Sequence, residues 1–372
     1  MPMGTSDTHN LLLSLSHIFI ISMLCFKLKV EGFSLNNTKV SCFYVFGDST
    51  VDPGNNDYIV TSFRSNFPPY GRDFPHQVPT GRFTNGMLST DYIASYIGLK
   101  KELLPPYLEP NLSIEELMTG VSFASAGSGF DPLTPTMTNV IPIDKQLEYF
   151  KECRKRVEVV LGKERTENHI KKGVFFISAG TNDFVLNYFT LPIQRNRYTL
   201  LAYQHFLIQH VKEFIQNLLA EGARKIVIVG VPPMGCLPVM ITINSPGAFL
   251  KRDCITKYSS TARDYNILLQ HELHAMQLHL NTINKGAKLY YVDIYGPIAD
   301  MIQTPQKFGF DEVSSGCCGS GYIEASYMCN KNSEVCSDPS KYVFWDSIHP
   351  TAKAYHHLFL TSLPIIDSIM NN

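Results

Sequence analysis

Short apolar runs alternate with longer segments of helical periodicity along most of this chain, and that alternation points to a parallel sheet sandwiched between helices. The runs are residues 42–46, 121–124, 174–178, 225–231 and 288–292. Each is rich in Val, Ile, Phe or Tyr and ends in a polar or glycine-containing turn, so five parallel strands are expected. Segments 88–99, 144–161, 199–219 and 254–283 carry apolar residues at three- and four-residue spacing, and 352–369 closes the chain in the same way. Asp144 and Thr199 suit helix N-caps, and Gly222 and Gly286 stand where helices should stop.

Two stretches lack a regular period. Residues 48–86 are dense in Gly, Pro and Asn, with Pro68-Pro69-Tyr70-Gly71 and Pro79-Thr80-Gly81-Arg82-Phe83 as turn signals, and residues 294–342 hold four cysteines. Loops this long in a compact domain are functional or stapled; the first is read as a wall of a site and the second as a stapled segment. The chain shows no linker and no internal repeat, so residues 33–372 are read as one domain.

Residues 11–26 form an apolar run of signal-peptide length, short of the ~20 residues needed to span a bilayer. Lys27 and Lys29 follow, no Lys or Arg precedes Leu11, and Val30-Glu31-Gly32 offers a cleavage point near Gly32. The reading is a leader over 1–32, a secreted protein, and no transmembrane segment in the mature chain. Of nine cysteines, Cys25 leaves with the leader. Cys42, Cys153, Cys236, Cys254, Cys317, Cys318, Cys329 and Cys336 remain, an even set that suggests disulfides of open connectivity. A zinc site at 317–336 is the alternative, disfavoured by the adjacent cysteines and the lack of a repeated C-x-x-C pair. Asn36 and Asn111 head glycosylation sequons.

With 32 Lys plus Arg against 33 Asp plus Glu, the charge gives no footprint for nucleic acid. The basic run 151–156 lies in a helical pattern and reads as a solvated face. His271 and His274 are three apart, which does not match the zinc motif H-E-x-x-H.

The chemistry is carried by residues far apart in the chain. Ser49 follows directly on the first strand, at the carboxyl edge of the sheet where open α/β folds bind ligands. A serine hydroxyl becomes nucleophilic when an imidazole takes its proton, and a carboxylate must hold that imidazole in the right tautomer. Asp346 and His349, three apart and ahead of Pro350, suit a loop in which the carboxylate curls back to Nδ1 and leaves Nε2 for the serine. Asn182, after the third strand, and Gly127, after the second, can donate to an oxyanion. Singly, each of these is an ordinary turn residue. Asp52 and Asn55 are assigned to loop shape. Phe184, Val185, Leu186, Tyr188 and Phe189 fit either an acyl groove or core, and Trp345 either packs near the site or seals the last loop.

The ordered blocks Phe46 to Asn56, Gly120 to Gly129, Gly180-Thr181-Asn182-Asp183 and Phe344 to Thr351 resemble the GDSL esterase/lipase family of the SGNH hydrolases, in its plant secreted branch. Pro79 to Gly86, Gly222-Ala223-Arg224-Lys225, Pro232 to Pro238 and Cys317-Cys318-Gly319 extend the likeness over nearly the whole mature chain. The resemblance implies a three-layer, flavodoxin-like α/β/α hydrolase with no metal or organic cofactor. It matches Ser49 to the nucleophile, Gly127 and Asn182 to oxyanion donors beside the Ser49 N–H, His349 to the base and Asp346 to its orienting group. Ser122 stands where many relatives have Asn. Phe123 replaces the first glycine of a Gly-x-Ser-x-Gly elbow around Ser125, which separates the chain from ordinary α/β-hydrolases.

The expected function is ester or lipid hydrolysis through an acyl-enzyme on Ser49. Acyl transfer to an alcohol on the same groups, and a catalytically silent secreted binding glycoprotein, are the alternatives. The sequence does not specify an oligomeric state.

Overall fold

In the computed structural model the apolar runs become β1 (Phe43–Gly47), β2 (Val174–Ser178), β3 (Lys225–Val229) and β4 (Lys288–Val292), four parallel strands paired in that order. The structure describes residues 40–101, 103–283 and 286–371; the expected leader, its expected cleavage point, Cys25 and the Asn36 sequon lie outside them.

The expected fifth strand at 121–124 is corrected. Its backbone runs beside β1, with the Val45 N–H donating to Val121 O (3.1 Å), the Phe123 N–H to Val45 O (2.7 Å) and the Ser125 N–H to Gly47 O (3.0 Å), yet it pairs through isolated bridges from Ser122 to Val45 and to Pro106 instead of as a strand. The Asn55 side chain donates to the carbonyls of Ser122 and Ala124, both at 2.8 Å. These two carbonyls lie on the edge facing away from β1, where a further strand would bond, and the sheet has four full strands.

The longer helices among the described residues are α1 (Ser89–Tyr96), α2 (Ile143–Leu161), α3 (Lys163–Lys172), α4 (Leu200–Ala220), α5 (Thr256–Thr282), α6 (Tyr295–Gln303) and α7 (Ala352–Asn371). Thr199 caps α4 by accepting the Ala202 N–H at 3.3 Å. Asp144 does not cap α2; the helix begins at Ile143 and Asp144 sits in its first turn, where its charge favours the positive end of the helix dipole. Helix α3 escapes the apolar pattern because only Thr166, His169 and Ile170 of its residues are buried. Segment 294–342, expected to be irregular, contains α6 and the strand β5 (Glu312–Gly316), which pairs with β6 (Tyr342–Phe344).

Strand alternation sorts the core into two faces. Tyr44, Phe46, Phe175, Ile177, Ile226 and Ile228 pack with Phe123, Phe150 of α2 and Phe214 of α4. On the other face Phe43, Val45, Phe176, Val227, Val229 and Val292 meet Ile93 of α1 and Phe359 and Ile366 of α7. The result is three layers, α/β/α. Phe184, Val185, Tyr188 and Phe189 are buried in the first of these clusters, in a π-helical turn (Asp183–Thr190), so the core reading of that stretch holds over the groove reading.

Three disulfides join Cys236 to Cys254, Cys317 to Cys336 and Cys318 to Cys329. Two of them staple segment 294–342. Cys42, just before β1, and Cys153 on α2 remain thiols, which corrects the expectation of disulfides across the whole even set. Both lie in the packed core, and burial pushes each thiol up to about 12. Among the described residues no helix is long and apolar enough to cross a membrane. Asn111 is exposed, just before a short helix (Ile114–Thr119).

Candidate active site

The turn that carries Ser49 is held from below and from the side. Gly47 ends β1 at φ 138°, and a Cβ there would sit 1.9 Å from the Ser178 carbonyl oxygen, so only glycine lets the two strand ends approach. Gln146 of α2 clamps the same residue, accepting its N–H at 2.8 Å and donating to its carbonyl at 2.9 Å. The Asp48 N–H donates to Ser178 O (3.0 Å), and the Asp48 carboxylate accepts the N–H and hydroxyl of Thr50 (3.0 and 2.7 Å). Burial pushes Asp48 up to about 6. With both neighbours fixed, Ser49 presents its side chain at the carboxyl edge of the sheet.

Residues 346–349 arrive at that edge from β6. Ser49 Oγ lies 2.8 Å from His349 Nε2, and His349 Nδ1 lies 2.7 and 2.9 Å from Oδ2 and Oδ1 of Asp346. A carboxylate only accepts, so Nδ1 carries the proton and Nε2 is left to accept from the serine hydroxyl. Asp346 Oδ1 also accepts the N–H groups of Ile348 (2.9 Å) and His349 (2.7 Å), and Oδ2 accepts the Tyr70 hydroxyl (2.8 Å). Both oxygens of this fully buried carboxylate are therefore paired with donors. Ser49 and His349 are 7 and 4 % exposed, so their mutual dipoles act with little screening by water.

The loop 48–86 forms one wall of this site. Phe83 packs on the imidazole with ring centroids 4.9 Å apart, and Tyr70 contacts Trp345 edge-on at 6.3 Å. Trp345 thus packs beside the site and also against the cysteines of the stapled loop. That loop grips the approach to Asp346, with the Cys318 N–H donating to Trp345 O (2.9 Å) and the Ser347 N–H to Glu324 O (2.8 Å).

The two expected oxyanion donors belong to one network. Gly127 has φ 87°, and its neighbour Ser128 accepts an Asn182 amide N–H at 2.9 Å. Asp52 accepts the N–H groups of Gly54 (2.8 Å), Asn55 (2.7 Å) and Ala126 (2.9 Å), which ties the Ser49 loop to the Gly127 loop. Ser122 donates its hydroxyl to Val51 O at 2.8 Å and so joins the same tie. Asp183, next to Asn182, accepts the N–H groups of Phe130 (2.9 Å) and Asp131 (3.1 Å) and the Thr134 hydroxyl. Burial, with a further push from Asp131, raises Asp183 to about 7.

Sequence reasoning did not single out Tyr70, Phe83, Gln146, Glu324 or Asp183. Tyr70 and Phe83 lie inside the two turn blocks of the first long loop, and proximity of those blocks to Ser49 was the only signal they offered. Among the described residues no group of three or more His, Cys, Asp or Glu is arranged to hold a metal ion, and the cysteine cluster at 317–336 is disulfide-bonded instead of zinc-binding.

Comparison with known proteins finds relatives over most of the chain. The sequence profile described as GDSL-like lipase/acylhydrolase matches residues 43–360. A GDSL esterase/lipase of Arabidopsis thaliana is 58% identical over 333 residues, 90% of this chain and 88% of the relative. Two others from the same plant are 41% identical over 357 residues (95% of this chain, 97% of the relative) and 43% identical over 340 residues (91% and 92%).

Proposed function

The chain belongs to the GDSL-like lipase/acylhydrolase family, and from that premise we propose that it is a secreted carboxylic ester hydrolase working through an acyl-enzyme on Ser49. His349 Nε2 takes the hydroxyl proton as Oγ attacks the ester carbonyl carbon. The developing oxyanion is held by the backbone N–H groups of Ser49 and Gly127 and by the Asn182 amide. His349 then gives the proton to the departing alcohol, and Asp346 stabilises the imidazolium throughout. Water, deprotonated by the same imidazole, releases the acid and restores the serine.

The observation that carries this reading is the unbroken line Ser49 Oγ, His349 Nε2, His349 Nδ1, Asp346, with separations of 2.8 and 2.7 Å. Export is supported by the leader-like run before Gly32 and by the three disulfides, and a single hydrolase domain over 33–372 by the family match over 43–360. The test is Ser49→Ala with a short p-nitrophenyl ester: turnover should vanish while the folded protein is still exported, and retained turnover would refute the assignment.

A further inference from the structure

The two oxygens of Asp346 are held in different ways. Oδ1 is anchored by the N–H groups of Ile348 and His349, its near neighbours in the chain. Oδ2 faces His349 Nδ1 at 2.7 Å, and its other partner is the Tyr70 hydroxyl at 2.8 Å, contributed from 276 residues away. With Oδ1 as pivot, the freedom left to the carboxylate is a swing of Oδ2. Tyr70 is the group bonded against that swing.

The phenol is itself fixed from two directions. Its ring is fully buried among Phe67, Phe83 and Trp345, in edge-on contacts with centroids 5.9, 5.7 and 6.3 Å away. Its oxygen accepts the Ser326 N–H at 2.8 Å. A phenol has a single proton and a carboxylate can only accept, so with Ser326 donating to the oxygen the Tyr70 proton is directed at Oδ2. Burial, together with the Asp346 charge, holds Tyr70 well above the usual phenol range, and the group stays a donor.

Ser326 can orient the phenol because its own position is pinned. It has φ 52°, in the left-handed region that serine rarely enters. Its hydroxyl accepts the Arg64 N–H (3.0 Å) and lies within bonding reach of the carbonyls of Ser62 (2.8 Å) and Arg64 (2.9 Å). The residue stands inside the loop closed by Cys318 and Cys329. The stapled loop thus reaches Asp346 through two hydrogen bonds in series, Ser326 to Tyr70 and Tyr70 to Oδ2.

We infer that Tyr70 is a positioning residue for ester hydrolysis: its hydroxyl, oriented by Ser326 of the stapled loop, aims Asp346 at His349 and thereby His349 at Ser49. The inference rests on the Ser49 reading for its reaction. A hydrogen bond to a charged group changes an equilibrium by about 10- to 150-fold. This one is present before and after the proton moves, so only the share that aims Oδ2 reaches kcat, about tenfold.

The experiment is a double-mutant cycle on the full chain with a p-nitrophenyl ester, the slow variants being followed as single turnovers with enzyme in excess. Tyr70→Phe removes the hydroxyl and keeps the ring. It should lower kcat about tenfold with little change in KM, and by less than about twofold on an Asp346→Asn background, where no carboxylate is left to aim. A purely structural role would cost the same factor in both backgrounds. Equal factors, or no loss in either background, overturn the inference. Should Tyr70→Phe fail to fold, Ser326→Gly carries the same cycle, since glycine takes φ 52° without strain and keeps the N–H while giving up the hydroxyl that pins it. A loss that requires Asp346 supports the inference, and equal factors overturn it. Ser49→Ala, run alongside, separates the two layers. Turnover abolished there with an uncoupled cycle removes Tyr70 and leaves Ser49 standing; turnover retained there removes the Ser49 reading and this inference with it.

Discussion

Asp346→Asn is the substitution whose consequence the geometry specifies most closely. Oδ1 accepts two backbone N–H groups, from Ile348 and His349, at 2.9 and 2.7 Å, and neither can turn away. The amide oxygen of an asparagine must therefore take the Oδ1 position, which leaves its NH2 group at Oδ2, 2.7 Å from His349 Nδ1. There the NH2 donates where a carboxylate accepted. Nδ1–H keeps only the amide oxygen, at 2.9 Å, and meets an opposing NH2 at 2.7 Å, so the ring is pushed toward the tautomer protonated at Nε2, which faces Ser49 as a donor. Tyr70 can rotate its hydroxyl to accept from the new amide, so the fold survives while the base is lost. Fixing the wrong tautomer costs about 10⁴ in kcat, about 5 kcal/mol of transition-state stabilisation. The assay is kcat for a p-nitrophenyl ester at neutral pH, with thermal unfolding as a check on the fold. An asparagine variant that folds and keeps more than a tenth of the activity would refute the tautomer argument.

Four further outcomes follow. Asn182→Ala should lower kcat by about 10² to 10³ with little change in KM, because an oxyanion donor acts mainly in the transition state; an effect confined to KM in steady-state kinetics counts against that role. Replacing Cys318 and Cys329 by serine opens an 11-residue loop and should cost about 3 kcal/mol by the loop-entropy estimate, read in a denaturant titration as a lower midpoint with unchanged slope. Asp183, raised to about 7, binds a proton in the folded chain that the unfolded chain releases near pH 4. Its contribution is thus full below about pH 4 and declines by up to ~1.4 kcal/mol per pH unit as pH rises toward 7. Asp183→Asn should flatten that slope in melts run between pH 4 and 7, and an unchanged slope would place the buried proton elsewhere. Gln146→Leu leaves the buried N–H of Gly47 without its partner and its carbonyl with the Ser125 N–H alone, so both stability and turnover should drop; a loss of neither in paired melting and kinetic runs would show that the Ser49 turn needs no clamp.

Elements that bury a periodic face were readable from the chain. β1 and β2 are continuous apolar runs because both sheet faces are covered, and α4 has a helical stripe with a threonine cap in front of it. Elements held by polar groups were not. Segment 121–124 has a strand's composition and bonds to β1, yet Asn55 takes the carbonyls of Ser122 and Ala124 on its outer edge, and no propensity reports that a loop side chain will arrive there. Helix α3 is mostly charged and rests on a few buried contacts. At the site, Asp346 and His349 were legible because three-residue spacing before a proline is a local geometric statement. Tyr70 was not, since its hydrogen bond spans 276 residues and its own neighbours signal only a turn. The two thiols show the limit of counting: parity suggested pairing for Cys42 and Cys153, and both are free thiols in the core cluster.

The meeting of a serine hydroxyl and an imidazole 300 residues apart is what the account depends on. A fluorophosphonate probe reacts only with a serine whose proton has somewhere to go, so peptide mapping of the labelled protein tests that meeting directly. The account predicts a single adduct on Ser49, lost when His349 is replaced by alanine. Labelling of another serine, or equal labelling without the histidine, would contradict it.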